Sequence, residues 1–218
     1  MIEPSEKLRL FEKRAIILLP IFYLVGTVSH GIETLLPFMI TLTPYTILGT
    51  AVIGFAPLVV LKHTKLLIWA LVTFLITLFL EILGVKTGLV FGEYDYGATL
   101  GFEFMEVPLL IGINWTLIIL GSIKLVEKIS DNTWAVMAMT AAVTVIFDYI
   151  MEPVAIALDY WSWEGGPIPL QNYIAWGVIS FVFAGFYRLM KLENPSRLPS
   201  AIVIIQGVFF LALRFLVV

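Results

Sequence analysis

Apolar residues run along this chain in long charge-free stretches separated by short polar breaks. The stretches predict seven helices, at about 15 to 33, 41 to 61, 66 to 83, 107 to 123, 133 to 150, 171 to 190 and 200 to 217. Each can cross a bilayer, which takes roughly 20 residues of α-helix, or about 17 when the span is short. Pro44 and Pro108 suit first-turn positions, Ser130 to Thr133 offer capping groups, and Pro195, Pro199 and Ser200 separate the last two helices. Inside the stretches polar residues recur every fourth position: Thr73, Thr77 and Glu81; Thr140, Thr144, Asp148 and Glu152; Asn172, Trp176 and Ser180. That spacing puts each set on one face of its helix.

Composition fixes the class. With 60% hydrophobic and 13% charged residues, the chain is expected to be an all-α, polytopic integral membrane bundle, a single transmembrane domain over 1–218. A mean hydropathy of +1.00 agrees. The absence of cysteine excludes disulfides, Cys-ligated zinc and thiol catalysis. A net charge of −3 gives no footing for nucleic acid. If every span crosses, eleven of the thirteen lysines and arginines fall on one side, with Lys86 and Arg214 opposite. The positive-inside rule then places the N-terminus in the cytoplasm and the C-terminus outside, in a multi-pass cell-membrane protein. Residues 1–14, where basic residues alternate with Leu8, Leu10 and Phe11, read as a cytoplasmic interfacial segment. No clear small-x-small cleavage site follows, so the first stretch reads as an uncleaved helix.

The acids have the opposite bias. Ten of the sixteen map to the outer side or to outer helix ends. Glu93, Glu103, Glu106 and Glu164 suit solvated loops. Glu81, by contrast, lies roughly 24 Å above Lys65 and Asp148 roughly 26 Å above Asp131, within hydrocarbon about 30 Å thick. A charged side chain at the centre of the membrane costs at least about 2.5–3.5 kcal/mol, so these stripes should face protein or water. A buried ion pair with Arg214 is one alternative, but one arginine cannot neutralise Glu81, Asp148 and Glu152 together. Asn114 and Asn172 lie at matching depth, where they suit interhelical hydrogen bonds as well as a site. His30, Glu33 and Gln206 also lie in the outer part of their helices.

The segment 81–176 carries the chemistry. Two units each set acids at the end of an apolar helix and follow them with a loop rich in Gly, Tyr and Trp. Val107-Pro108-Leu109 precedes Trp115 by the interval at which Ile168-Pro169-Leu170 precedes Trp176, a repeat of period 61. Related helical hairpins meeting around one cavity are a known way to build a membrane site. Tyr94, Tyr96, Trp161 and Trp163 lie beside the acids, although an aromatic interface belt would place them similarly.

The ordered set Glu81-x2-Gly84-x2-Thr87-Gly88-x2-Phe91-Gly92-x-Tyr94-x-Tyr96, Leu100-Gly101, Val107-Pro108-Leu109 with Trp115, Asp148 with Glu152-Pro153, Trp161-x-Trp163, and Gly166 to Pro169-Leu170 with Asn172 and Trp176 resembles the carotenoid biosynthesis family of membrane proteins that includes the carotenoid 1,2-hydratases. One departure is Glu152-Pro153, where that pattern leads one to expect Asp-Pro. The resemblance implies addition of water to the terminal C1–C2 double bond of an acyclic carotenoid end group. It also implies a lipophilic carotenoid substrate, the lipid bilayer and other carotenoid biosynthesis enzymes as partners.

Residue chemistry fits that reaction. Hydrating an isolated trisubstituted alkene takes a proton donor, a means of stabilising a tertiary carbocation, and a positioned water. A carboxyl group taken out of water holds its proton more tightly, and a neighbouring carboxylate can accept a proton from the water. Asp148 and Glu152, one helical turn apart, are expected to divide the acid and base roles, with Glu81 opposing them. Asn114, Asn172, Tyr94, Tyr96, Trp115, Trp161, Trp163 and Trp176 are expected to position substrate or water, the aromatic faces stabilising the cation. The reaction requires no cofactor, and no metal site is expected.

Other readings use the same residues. A carotenoid cyclase forms the same cation and traps it with an internal double bond. A prenyltransferase would use Asp148-x3-Glu152 to hold magnesium diphosphate, but a second acidic motif and the basic residues for that group are lacking. A membrane transporter or carrier also places acids inside a bundle, but here the cytoplasmic halves of the acid helices carry no comparable relay.

Overall fold

The computed structural model describes residues 6–218. Among these, seven α-helices form one bundle: α1 (Glu6–His30), α2 (Leu36–Val60), α3 (Thr64–Thr87), α4 (Leu109–Val126), α5 (Thr133–Ala157), α6 (Leu170–Leu189) and α7 (Leu198–Arg214). Four of them, α2 to α5, are long and apolar enough to cross a membrane, and α7 is apolar but only 17 residues long. Lys13 and Arg14 dilute the apolar character of α1, and Gln171, Asn172 and Arg188 that of α6. The outer faces of the helices carry exposed Leu18, Leu24, Val52 and Phe79. Apolar surface of that extent suits lipid and not water.

The shortest of the four long apolar helices is the hub. In α4 the run Leu117–Leu120 is wholly buried, because α2, α3, α5, α6 and α7 all pack around it. Pro108 and Pro169 immediately precede α4 and α6, with extended backbone that leads each chain into its helix. Asn132 caps α5 by accepting a hydrogen bond from the Ala135 amide at 3.0 Å.

Several helix boundaries differ from the sequence reading. Helix α2 begins at Leu36 with Pro37 in its first turn, so Pro44 is an interior proline and not a helix start. Residues 6–14 form the opening turns of α1, continuous with the span, while residues 1–5 of the expected interfacial segment lie outside the described residues. Helix α5 also continues past 150 to Ala157, which carries Glu152 and Pro153 inside it.

Between the helices are four short strands: β1 (Tyr94–Tyr96), β2 (Glu103–Phe104), β3 (Val107–Pro108) and β4 (Trp161–Trp163). Strand β1 pairs antiparallel with β4, setting Tyr94 opposite Trp163 and Tyr96 opposite Trp161. This ribbon clamps the loop after α3 to the loop after α5. Strands β2 and β3 form a separate small hairpin. Exposed Glu93, Glu103, Glu106 and Glu164 are the solvated loop acids that the sequence suggests.

Candidate active site

Every residue of the three polar stripes is buried, Thr73, Thr77, Thr140, Thr144 and Ser180 completely. Thr73, Thr77 and Thr144 spend their hydroxyl protons on carbonyls one turn back, at 2.8, 2.9 and 3.0 Å. The carboxyl groups at the ends of the stripes have no such local partner. They reach across the bundle instead.

Glu81, 3% exposed, accepts hydrogen bonds from the hydroxyls of Tyr94 and Tyr96, the latter at 2.8 Å. Burial, reinforced by the adjacent Glu81, pushes both phenols far above the ordinary tyrosine range, so each stays an O–H donor. Strand alternation makes this possible: Tyr94 and Tyr96 point inward, and Asp95 between them is exposed. Gly84 is required for the approach. A Cβ there would lie 2.7 Å from Phe91 and 3.2 Å from the Tyr94 hydroxyl. Gly92, at φ +109°, turns the chain toward β1 where a Cβ would meet Pro169 at 2.7 Å.

Glu152 is held from the other loop. Trp161 and Trp163 donate their indole N–H groups to its Oε2 at 3.0 and 2.9 Å, and Asn172 Nδ2 donates to its Oε1 at 3.1 Å. The same Asn172 nitrogen donates to Asp148 Oδ2 at 2.8 Å. Asp148 Oδ1 is buried without a hydrogen-bond partner among the described residues. The three carboxyls therefore differ: Glu152 accepts three hydrogen bonds, Glu81 two and Asp148 one. Among the described residues no lysine or arginine pairs with any of them. Among the described residues the ion pair is Arg188 with Glu127, at 3.0 Å. Arg214, the alternative partner from the sequence, stands over the Tyr149 ring at 5.0 Å and donates to the Tyr149 carbonyl at 3.2 Å. Pro153 lacks the N–H that would bond that carbonyl, so Arg214 supplies the missing donor.

Glu81, Asp148, Glu152 and Asn172 line one cavity of about 20 Å³ with Tyr94, Tyr96, Trp115, Trp161, Trp163 and Trp176. The repeat of period 61 closes on itself here. Trp115 and Trp176 stack face to face with centroids 3.6 Å apart, and Phe91 extends the stack at 5.1 Å from Trp176.

Asn114 is the exception among the expected site residues. It lies in a neighbouring cavity of about 220 Å³, where Gln206 Nε2 donates to its Oδ1 at 3.4 Å. Asn114 directly precedes Trp115, so it projects from a different side of α4 from the indole that lines the acid cavity. Ile111, Trp115, Met151 and Trp161 line both cavities and form the wall between them. Phe91, Ile111 and Met151 escaped the sequence reading as site residues, since apolar side chains in an apolar chain carry no signal. The pairing of β1 with β4 had one: both read aromatic-polar-aromatic, the period of a strand.

Fold and site together define an all-α bundle of membrane type with an internal, acid-lined and aromatic-walled pocket. A family model described as "Carotenoid biosynthesis protein" matches residues 41–218, and the chain belongs to that family. It is also 31% identical over 173 residues to the bisanhydrobacterioruberin hydratase of Haloarcula japonica, a match covering 72% of this chain and 58% of that protein. The chain thus aligns with less than two thirds of that relative's length. No solved structure matches it.

Proposed function

We propose that this protein is a hydratase that adds water to the terminal C1–C2 double bond of an acyclic carotenoid end group. The observation that carries this reading is the cavity of about 20 Å³ bounded by three carboxyl groups, which has room for one water among several polar partners. Hydration needs a water held at the acids, whereas cyclisation needs that space filled by the folded polyene. The family membership and the hydratase named among its relatives support the same choice.

Asp148 is the proposed proton donor, because it accepts the fewest hydrogen bonds and has a free oxygen. Its proton goes to the less substituted alkene carbon, and the π electrons form the new C–H bond. The tertiary cation left behind is stabilised by the Trp115, Trp161 and Trp176 faces. Water then bonds to the cation and passes its extra proton to Glu152, whose three donors favour a carboxylate. Proton transfer from Glu152 to Asp148 restores the site, and Asn172 Nδ2 holds the two acids close enough for it. Glu81 orients the water from the opposite helix.

A longer path fits a rod-shaped substrate. The cavity of about 220 Å³ shares Phe22 and Thr46 with a groove of about 470 Å³ between α1 and α2. Together they are lined from Phe11 to His30, a rise of about 28 Å along α1. Phe22 and Val25 line the opening and are more than half exposed, so the entrance faces sideways, toward lipid.

Expression in a host that makes acyclic carotenoids should yield pigments heavier by one water. In heavy water the product should carry one deuterium on the carbon next to the new tertiary alcohol. An isomeric product would identify a cyclase, and unchanged pigments would overturn the reading. For orientation, the eleven-to-two split of basic residues supports a cytoplasmic N-terminus and an external C-terminus. A C-terminal reporter active only in the cytoplasm should stay silent; strong activity would reverse that topology.

A further inference from the structure

The cavity of about 220 Å³ beside the acid site is apolar over most of its wall, yet two buried acceptors on that wall have no partner among the described residues. His30 is 7% exposed, and its ring is steadied edge-on against Phe209 with centroids 5.6 Å apart. Its Nδ1 lies 2.7 Å from the Gly26 carbonyl, which can only accept, so Nδ1 carries the proton and Nε2 presents a lone pair. Gln206 is 3% exposed, and its Nε2 donates to the Tyr23 hydroxyl at 3.2 Å and to Asn114 Oδ1 at 3.4 Å. Its Oε1 is left over as a second acceptor. Of the hydroxyls on this wall, Tyr23 pairs with Thr50 at 3.1 Å and Tyr160 with Thr43 at 3.4 Å, while Ser29 and Thr46 are only half-buried.

Leaving a buried acceptor without a donor is costly, and two on one otherwise apolar wall call for a ligand that brings an O–H. We propose that this cavity selects polyenes that already carry a hydroxyl group, which donates to His30 Nε2 or Gln206 Oε1 while the alkene reaches the acids beyond the Trp115 wall. The hydroxyl formed by hydration is not the one bound here. His30 and Gln206 line only the larger cavity, and the three acids only the smaller one. The inference rests on the polyene reading given above and adds the chemistry of a second recognition point.

The experiment measures binding, without turnover, in an Asp148→Asn background by the visible absorption of retained polyene. The probes are an acyclic polyene hydrocarbon, the same polyene with one hydroxyl near the end group, and the methyl ether of that alcohol. The alcohol should bind about tenfold more tightly than the hydrocarbon, and the ether more weakly than the alcohol, since the two unpartnered buried atoms are both acceptors. In a His30→Phe, Gln206→Leu double variant the alcohol should lose its advantage while hydrocarbon binding persists. Equal binding of alcohol and hydrocarbon, or an ether as tight as the alcohol, overturns the proposal and leaves the hydratase reading intact; retention of none of the three overturns both. The three-probe comparison needs neither His30 nor Gln206 changed, so it decides the matter even if the double variant does not fold.

Discussion

Asp148→Asn is expected to lower kcat by on the order of 10²–10⁴-fold, the usual contribution of a positioned general acid. The amide keeps an oxygen to accept from Asn172 Nδ2, so the contact that ties α5 to α6 persists and the fold should hold. What it lacks is an acidic proton for the alkene. Hydration assays on protein that elutes as a single species in detergent and still retains polyene would check this. Activity within a factor of a few of wild type would show that Asp148 is structural and that protonation comes from elsewhere. Because the uncatalysed protonation of an isolated alkene is slow, water and the aromatic walls alone should leave little residual turnover.

The stripes were legible in the sequence because each residue type had a conflict to resolve. Acids and threonines every fourth residue in an apolar helix are tolerable only if they face inward, and all of them do. The repeat of Pro-to-Trp spacing was legible for a similar reason: it fixed depth, and equal depth on two converging helices put Trp115 against Trp176. Depth alone, however, does not fix azimuth. Asn114 sits at the right height on α4 but lines the neighbouring cavity with Gln206. Proline alone does not fix a helix start. Pro44 is tolerated within α2, and the start is set by Pro37.

The hydrogen-bond pattern around the acids was beyond sequence reading, because it depends on β1 and β4 meeting across the 64 residues that lie between Tyr96 and Trp161. Two tyrosines descend on Glu81 and two tryptophans on Glu152, from opposite strands of one ribbon. The ribbon therefore sets the separation of the acids by clamping both loops at once. An aromatic belt at a membrane surface would need no such pairing of each ring with a particular carboxylate.

Glu152 provides the sharper test, because its carboxylate is held from three directions. Glu152→Asp keeps the charge but withdraws the group by roughly 1.5 Å, away from Trp161, Trp163 and Asn172; a misplacement near 1 Å can cost about 10²-fold. Glu152→Gln keeps the length but removes the proposed base, and its NH₂ group must face the indole pair or Asn172, donor against donor. The expected order of kcat is wild type, then Glu152→Asp lower by about 10²-fold, then Glu152→Gln lower by up to about 10⁴-fold. Trp161→Phe and Trp163→Phe isolate the positioning role: each removes one donor to Oε2 and leaves the base, so each should fall well short of the Glu152→Gln loss. Full activity in Glu152→Asp would mean that the indole bonds do not position the base. Equal losses in Glu152→Gln and the two indole variants would reduce Glu152 to an anchor for β4, and the water's proton would have to leave through Glu81.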